Sequence, residues 1–146
     1  MQKTTILKIL TAILLVVASG ISLFFLTDYA SEKQRDVQRL SDVAVMRLAL
    51  ESYFFYKQSY PLALNAVVLG VNEARVLCDT VAGIQADTES CDRVFTASIA
   101  PDPLSRNDFV YTYTSDSHDY SLGFSLERND SGLVAGRHVA TASGIK

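Results

Sequence analysis

The side chains that could act as a nucleophile, a base or a metal ligand are few and far apart in the sequence. The two histidines are His118, inside the polar run 115–119, and His138, close to the end of the sequence. A nucleophilic site needs a base beside its serine or cysteine, and phosphate or zinc sites need their own residue spacing. None of these patterns occurs in the sequence. The sequence therefore predicts no catalytic residue and no enzymatic activity.

The chain has two cysteines, Cys78 and Cys91, with twelve residues between them. Two cysteines in a small domain that faces an oxidising compartment are typical of a disulfide. Such a bond would contribute roughly 3 kcal/mol to stability by restricting the unfolded chain. Two unpaired thiols are the alternative, and a metal site is disfavoured because neither histidine lies near in sequence. We predict the disulfide.

The charge distribution argues against nucleic acid as a partner. The 146 residues include 13 Lys and Arg against 16 Asp and Glu, which gives a formal net charge of -3. Nucleic-acid binding requires a concentrated basic patch, and the aromatic residues here are not interleaved with lysine or arginine. A chain of this length has room for one small domain and an anchor.

The beginning of the sequence has the composition of a membrane anchor. Residues 9–27 contain no charged side chain, and as a helix they would span about 29 Å, close to the hydrocarbon thickness of a bilayer. We therefore predict that residues 1–34 form a single transmembrane anchor. The short basic N-terminus has nothing to translocate, so we place it in the cytoplasm and residues 35–146 outside it. A signal peptide cleaved at 18–20 is the alternative, although it would leave an exposed apolar terminus.

A soluble helix is predicted to continue directly from the anchor. Residues 28–34, which follow the apolar run, carry no Gly or Pro, so we expect one continuous helix of about 50 residues that ends before Tyr60. In its soluble part, 35–58, apolar side chains recur at steps of three and four and share one face. This core stripe consists of Leu40, Val43, Met46, Leu50, Tyr53 and Phe54. We predict that the core stripe packs on the domain's own sheet, with contact to a partner helix as the alternative.

The charged side chains of the same helix are expected mostly on its other faces. They are Asp36, Arg39, Asp42, Arg47 and Glu51.

The remaining sequence predicts a variable loop region followed by a sheet. Residues 62–108 form the variable region, with a short helix as one interpretation of 62–69. Residues 109–114 and 120–127 alternate apolar with polar side chains, and the five residues between them suit a hairpin loop. The predicted fold class is α+β, in which a long N-terminal helix, transmembrane in its first half, packs on a small antiparallel sheet of three or four strands within 109–146.

Three segments resemble a known protein family. "RDVQRLSDVAVMRLALESYFFYKQSYP" (35–61) is similar to the family's Arg-Asp-x-x-Arg-Leu-Ser-Asp helix, which ends in an aromatic pair and Tyr-Pro. "PDPLSRNDFVYTYTSDSHDYSLGFSLE" (101–127) is similar to its Asp-Pro turn and two strands, and "GLVAGRHVATASGI" (132–145) to its C-terminal end. On these residues the chain resembles type IV pilins and type II secretion pseudopilins. The resemblance implies a pilin-like fold.

The beginning of the sequence departs from the family pattern. Family members carry a basic leader that ends in Gly, followed by Phe-Thr-Leu-Ile-Glu, where a peptidase cuts. Ungapped counting back from Arg35 places residues 4–8 on that pentapeptide, with Lys8 at the position of its Glu. The family's carboxylate is thought to pair with the terminal amine of a neighbouring subunit, whereas two like charges about 4 Å apart repel by about 1 kcal/mol in water. Lys8 therefore argues against ordinary processing.

The resemblance implies a structural subunit of a filament or of a secretion-associated pseudopilus, with an assembly platform as a further partner. Its anchor would contact the membrane and like subunits through the N-terminal helices, at positions such as Lys8, Ile9, Gly20 and Leu26. The alternative, which Lys8 favours, is a membrane-anchored binding module that has a pilin-like fold and does not polymerise.

Calcium is the one ion that the resemblance suggests as a ligand, because some pseudopilins hold it in their C-terminal loops. Asp116, Asp119 and Asp130 offer hard oxygen ligands in the corresponding part of this chain. Their spacing does not reproduce a known binding loop, and solvated loop carboxylates are the alternative. We predict no resident cofactor, with calcium at these residues as the alternative.

Overall fold

The computed structural model of the chain describes the backbone of residues 2–146, and the side chains of these residues except 2–7, 9–10, 12 and 23–25. Contacts divide the chain into two compact units, Met1–Gln34 and Arg35–Lys146. One helix, α1, covers Gln2–Lys57. The predicted long N-terminal helix, packed on antiparallel sheet through its soluble part, is therefore confirmed.

The first unit consists of the apolar part of α1. In the described part of the chain, α1 is the one helix long and apolar enough to cross a membrane, judged by length and composition. Its apolar side chains are not covered by protein, since Leu15 and Val16 are each 70% exposed. The hydroxyls of Ser19 and Ser22 donate to carbonyls one turn earlier, at 2.8 and 2.9 Å. The polar groups of these two side chains are thus satisfied within the helix, as a lipid environment requires.

α1 ends because the residue after Lys57 leaves helical geometry. Gln58 has a φ of 58°, and its N–H donates to the carbonyl of Phe54 at 2.8 Å. A left-handed residue with this hydrogen bond is a common helix cap. Pro61 follows shortly afterwards and could not have continued the helix. The observed end lies within one residue of the predicted one.

Eight strands follow α1. They are β1 (Ala63–Val68), β2 (Val76–Cys78), β3 (Ile84–Gln85), β4 (Val94–Thr96), β5 (Thr112–Ser115), β6 (Tyr120–Leu126), β7 (Gly136–Thr141) and β8 (Gly144–Ile145). The larger sheet has the order β1-β5-β6-β7-β8 and the smaller has the order β3-β2-β4. All pairs are antiparallel. The predicted hairpin is formed by β5 and β6, in which Ser115 pairs with Tyr120.

The structure differs from the expectation for residues 62–108. The short helix at 62–69 is wrong, because β1 occupies most of that segment and pairs with β5. A short apolar run has no periodicity long enough to separate a helix from a strand, so its pairing partner decided the outcome. The region also contains the whole smaller sheet, and the larger sheet has five strands where three or four were expected.

The core lies between one face of α1 and the sheets. From the core stripe, Val43, Met46, Leu50 and Tyr53 are buried, and Leu40 and Phe54 are partly buried against them. The larger sheet contributes Tyr111, Tyr113, Tyr120, Leu122, Phe124 and Leu126. Burying one large apolar side chain contributes about 1.5–3 kcal/mol, so this packing is the main attachment of the helix to the sheet.

The predicted disulfide joins Cys78, at the end of β2, to Cys91. The loop between them contains Gly83, which has a φ of 73°. A Cβ on Gly83 would lie 2.6 Å from the Cβ of Pro61, so the loop packs directly on the segment that follows α1. Glycine is required there for both its backbone conformation and its lack of a side chain.

Candidate functional site

A charged pair, Asp36 and Arg39, lies on the core face of α1 where the second unit begins. Asp36 and Arg39 are both 0% exposed, so the expectation that the charged residues lie on other faces of the helix is wrong for these two. The Nη1 of Arg39 donates to Oδ1 of Asp36 at 2.7 Å. The two residues continue the core stripe backwards, because Val43, Arg39 and Asp36 follow one another at steps of four and three.

Two acidic residues from distant parts of the chain complete this charged cluster. Asp102 accepts hydrogen bonds from Nε and Nη2 of Arg39, at 2.7 and 3.0 Å. Glu127 accepts one from Nη1 of Arg39 at 2.6 Å, and two from Arg35 at 2.7 and 2.6 Å. The ring of Phe109 covers the guanidinium of Arg39, with 4.6 Å between its centroid and Cζ. Paired hydrogen bonds of this kind match the planar guanidinium to the planar carboxylate.

We call this cluster the Arg39 network, which consists of Arg35, Asp36, Arg39, Asp102 and Glu127. Backbone amides balance its remaining charge. The two oxygens of Asp36 accept the N–H groups of Glu127 and Arg128, at 3.0 and 2.9 Å. The N–H of Leu104 donates to Asp102 at 2.8 Å. The network holds three carboxylates and two guanidiniums, so these amide donors offset its excess negative charge.

The Arg39 network shifts the pKa values of its members. Hydrogen bonds, first from Arg35 and then from Arg39, hold the pKa of Glu127 below its ordinary value, although burial alone would raise it. Burial lowers the pKa of Arg39, but the hydrogen bonds to its three carboxylate partners outweigh burial, so the pKa rises overall. Both groups therefore remain charged at neutral pH.

A second polar layer joins α1 to tyrosine hydroxyls. Glu51 accepts hydrogen bonds from the hydroxyl of Tyr60, at 3.1 and 3.2 Å, and from that of Tyr120, at 3.1 Å. Burial and the nearby charge of Glu51 raise the pKa of Tyr60 to about 12. Burial also raises the pKa of Tyr120 to about 12, although a hydrogen bond with Arg47 opposes the shift. The carboxylate of Glu51 is thus a structural acceptor for two buried-ring tyrosines.

The other charged residues of α1 also reach the domain. The hydroxyl of Tyr111 donates to Asp42 at 2.9 Å, and burial raises the pKa of Asp42. Arg47 donates to the carbonyl of Ala142 at 3.2 Å. Asp42 and Arg47 are therefore half-buried against the domain, whereas Glu51 is exposed.

The outer face of α1 in the second unit is uncharged and largely apolar. Its members recur at steps of three and four, and this outer stripe consists of Val37, Ser41, Ala44, Val45, Leu48, Ser52 and Phe55. Leu48 is 70% exposed and Phe55 is 84% exposed. The hydroxyl of Ser52 donates to the carbonyl of Leu48 at 2.8 Å, so its donor is already satisfied. A solvent-facing helix face normally carries charge, and this one offers a surface for apolar contact. The sequence analysis missed it, although the same periodicity identifies it.

An open groove of about 590 Å³ lies beside the C-terminal end of the outer stripe. Its walls are aromatic and apolar with one acid and one base, and they consist of Glu51, Ser52, Phe55, Tyr56, Arg93, Val94 and Phe95. The guanidinium of Arg93 lies over the ring of Tyr56, with 4.6 Å between its Cζ and the ring centroid. Stacked aromatic and cationic groups of this kind can bind a ligand that packs against them.

The structure separates the three candidate calcium ligands. Asp116 and Asp119 lie in the turn between β5 and β6, whereas Asp130 follows the far end of β6. At about 3.3 Å per residue, β6 places these turns roughly 20 Å apart. The amides of Asp119 and His118 donate to Asp116 at 2.9 Å and lower its pKa. Among the described residues, no group of three His, Cys, Asp or Glu is placed to hold a metal ion. The three aspartates therefore do not form one site.

The two histidines occupy different environments. His118 is exposed in the turn between β5 and β6. His138 is buried, and its ring nitrogens lie 2.7 Å and 3.3 Å from the carbonyl oxygens of Val134 and Lys146. The ring nitrogens of His138 thus face backbone carbonyl oxygens. The predicted absence of enzymatic activity stays a prediction.

The predicted anchor residues lie on the surface of the first unit. Lys8, Gly20 and Leu26 are exposed, and the side chain of Ile9 is outside the described residues. Apart from the two neighbouring residues and the helix's own backbone, no described atom lies within 4 Å of the position that a Cβ on Gly20 would take. A larger side chain at Gly20 would therefore meet no other atom described in its own chain.

No protein-family model matches the chain, and no curated protein and no solved structure matches it.

Proposed function

We propose that the protein is a membrane-anchored, pilin-like structural subunit that assembles with copies of itself through α1. The outer stripe carries this proposal. The core face of α1 is used by the subunit's own domain, whereas Leu48 and Phe55 on the outer stripe are 70% and 84% exposed. Exposed apolar side chains in a continuous row favour contact with another protein surface. A neighbouring α1 presents the same kind of surface.

The first unit fits the same role. Its apolar helix is long enough to cross a bilayer, and helices in such a setting associate by close packing at small residues such as Gly20. The proposed orientation places the N-terminus in the cytoplasm and the second unit outside, where a disulfide such as Cys78–Cys91 is stable. The resemblance to pilins and pseudopilins adds a filament or a secretion-associated pseudopilus as the product. In this role the protein binds and assembles without catalysis.

One experiment tests the outer stripe as an assembly surface. Leu48→Glu in the full-length protein places a charge on the stripe without touching the core face. Val81→Glu is the matched control, because Val81 is fully exposed in the disulfide loop and is not part of the outer stripe. Cross-linking in native membranes and imaging of sheared fibres should show oligomers for the wild type and the control, and few for Leu48→Glu. Equal assembly by both variants would remove the proposal.

A second candidate function is a binding module that is anchored in the membrane and does not polymerise. Lys8 favours it, because Lys8 stands where the resemblance places the carboxylate that pairs subunits. The groove beside Phe55 and Tyr56 would then be the ligand site. Sequencing the N-terminus of the mature protein and measuring its oligomeric state separates the two functions. An intact Met1 and a monomer in membranes favour the second candidate.

A further inference from the structure

β1 forms an unusually open edge of the larger sheet. It pairs with β5 on one side, and no described strand pairs with its other side. It has six residues, whereas the other edge strands, β3, β4 and β8, have two, three and two. Residues 59–72, which contain β1, carry no charged side chain. Native proteins ordinarily protect sheet edges with charge, with bulges or by keeping them short. β1 is long and uncharged, and its register with β5 is irregular between Ala63 and Val67.

The register shows which backbone groups face the free edge. The N–H of Leu69 donates to the carbonyl of Tyr111 at 2.9 Å, and the adjacent Val68 is paired with Thr112. In an antiparallel ladder, hydrogen-bonded pairs alternate with pairs whose N–H and C=O point outward. The N–H and C=O of Val68 therefore point away from β5. These are the groups to which an additional strand would bind.

Apolar side chains accompany this backbone. Leu62, Leu64 and Val68 are 58%, 75% and 37% exposed. A strand that added to the edge would remove part of this apolar surface from water as well as pair its backbone. Edge addition is a common way for one chain to bind another.

We propose that β1 pairs with β1 of a second copy of this chain, antiparallel and across a two-fold axis. The absence of charge from residues 59–72 supports a second copy as the partner. Two-fold pairing places β1 beside the β1 of the other copy, and no like charges then meet. The antiparallel sense is that of every pair in the larger sheet. The two copies would form one continuous sheet. This contact is separate from the outer stripe of α1, and it rests on the function proposed above only for the membrane anchor that concentrates the copies.

The small area of this contact determines whether the dimer forms in a membrane or in dilute solution. A six-residue edge strand buries much less than the roughly 1,000 Å² that a stable interface requires. Copies held in one membrane by their anchors have a high effective concentration, which compensates for a weak contact. We therefore place the dimer in the membrane, with dissociation on dilution in detergent.

The test uses the full-length protein in lipid vesicles at a series of protein-to-lipid ratios. Leu64→Lys places a charge on the exposed edge, and two-fold pairing brings two such charges close together. Val68→Pro removes an outward N–H without removing a hydrogen bond to β5. Val81→Lys is the matched control, since Val81 is fully exposed and lies outside β1. Single-molecule photobleaching should show roughly tenfold weaker dimerisation for both edge variants, and no change for Val81→Lys.

Two outcomes overturn the proposal. One is that Leu64→Lys dimerises as strongly as Val81→Lys. This outcome remains decisive even if Val68→Pro fails to fold, because the substitution at exposed Leu64 leaves the core unchanged. The other is loss of dimers in Leu48→Glu with no loss in the edge variants, which assigns the contact to the outer stripe. Loss in the edge variants while Leu48→Glu still dimerises supports the edge, whether or not α1 assembles fibres.

Discussion

Arg39 on α1 and Asp102, 63 positions later in the sequence, are joined by two parallel hydrogen bonds of 2.7 and 3.0 Å in a fully buried setting. A buried ion pair of this kind is no more stabilising than a well-packed apolar pair, since both charges lose their hydration. Its geometry, however, permits one arrangement of guanidinium and carboxylate. The pair therefore fixes the position of the helix on the turn that contains Asp102, while the core stripe supplies most of the attraction.

Removal of the Arg39 guanidinium should destabilise the second unit strongly. Arg39→Met leaves Asp36, Asp102 and Glu127 close together without their shared cation, and an uncompensated buried charge costs about 3–5 kcal/mol. Chemical denaturation of the full-length protein, followed by tyrosine fluorescence, measures the free energy of unfolding. Arg106→Met is the control, because Arg106 is exposed. A loss no greater than that of the control would show that the network has little influence on stability.

The Arg39 network should make the protein sensitive to acid. The pKa of Glu127 lies below its ordinary value of 4.5 in the folded state. A lowered pKa stabilises the folded state above the ordinary value, and this contribution is lost as pH falls through the folded value. We expect the free energy of unfolding to decline below about pH 4.5, partly opposed by Asp42, whose pKa is raised by burial.

Glu127→Gln should lower stability at neutral pH and remove most of this acid slope. Denaturation at successive pH values measures it, with Glu89→Gln as the exposed control. An unchanged slope in Glu127→Gln would show that another group causes the acid sensitivity.

The tyrosines on Glu51 should cause an alkaline transition. The pKa values of Tyr60 and Tyr120 are raised from 10.0 to about 12. A raised pKa means that their contribution to stability is complete below pH 10 and is lost as pH rises towards 12. Glu51→Gln removes the charge that disfavours tyrosinate, so both should titrate at lower pH. Ultraviolet absorbance of tyrosinate measures this, and Asp42→Asn, which contacts Tyr111, should leave the two tyrosines unchanged.

Loss of the disulfide should weaken the second unit without unfolding α1. The double variant Cys78→Ala, Cys91→Ala is expected to lose roughly 3 kcal/mol, because the loop between the two positions is then free in the unfolded chain. A reductant should lower the stability of the wild type by a similar amount and leave the double variant unaffected. Denaturation curves with and without reductant provide the measurement. A wild type that responds no more than the double variant contradicts the prediction.

Gly20→Leu should change self-association in membranes. Apart from the two neighbouring residues and the helix's own backbone, no described atom lies within 4 Å of the Cβ position at Gly20, so no described side chain opposes the larger one. An effect would therefore come from the approach of another helix, which small residues favour. Cross-linking of the full-length protein in vesicles detects it, with Leu26→Ile as a control of similar size. Equal cross-linking of Gly20→Leu and the wild type would exclude Gly20 from the helix contact.

Periodic local patterns made the helix and the hairpin predictable. The steps of three and four from Leu40 to Phe54 identified the core face of α1, and strict alternation identified β5 and β6. β1 was not predictable in the same way, because the apolar run 62–69 is too short to show a period and its strand form depends on β5. The outer stripe was missed because α1 is apolar on two faces, which weakens the contrast between them.

The charged cluster illustrates a different limit of sequence analysis. Asp36 and Arg39 extend the core stripe by two further steps, so their inward position was present in the pattern. Charged residues are seldom buried unless partners compensate them, and Asp102 and Glu127 are too far along the chain for a local pattern to show the pairing. The same applies to Glu51, whose tyrosine partners come from the end of the helix and from β6.

The attachment of Asp36 to the amides of Glu127 and Arg128 has a consequence for biosynthesis. α1 is synthesised before the partners of its charged pair, since Asp102 lies 63 positions after Arg39 and Arg128 lies 92 positions after Asp36. A nascent chain shorter than this holds carboxylate and guanidinium groups that must stay hydrated, so the helix cannot dock early. Docking thus waits until β6 and the two residues after it have been synthesised, and shorter termination products are left open to proteolysis.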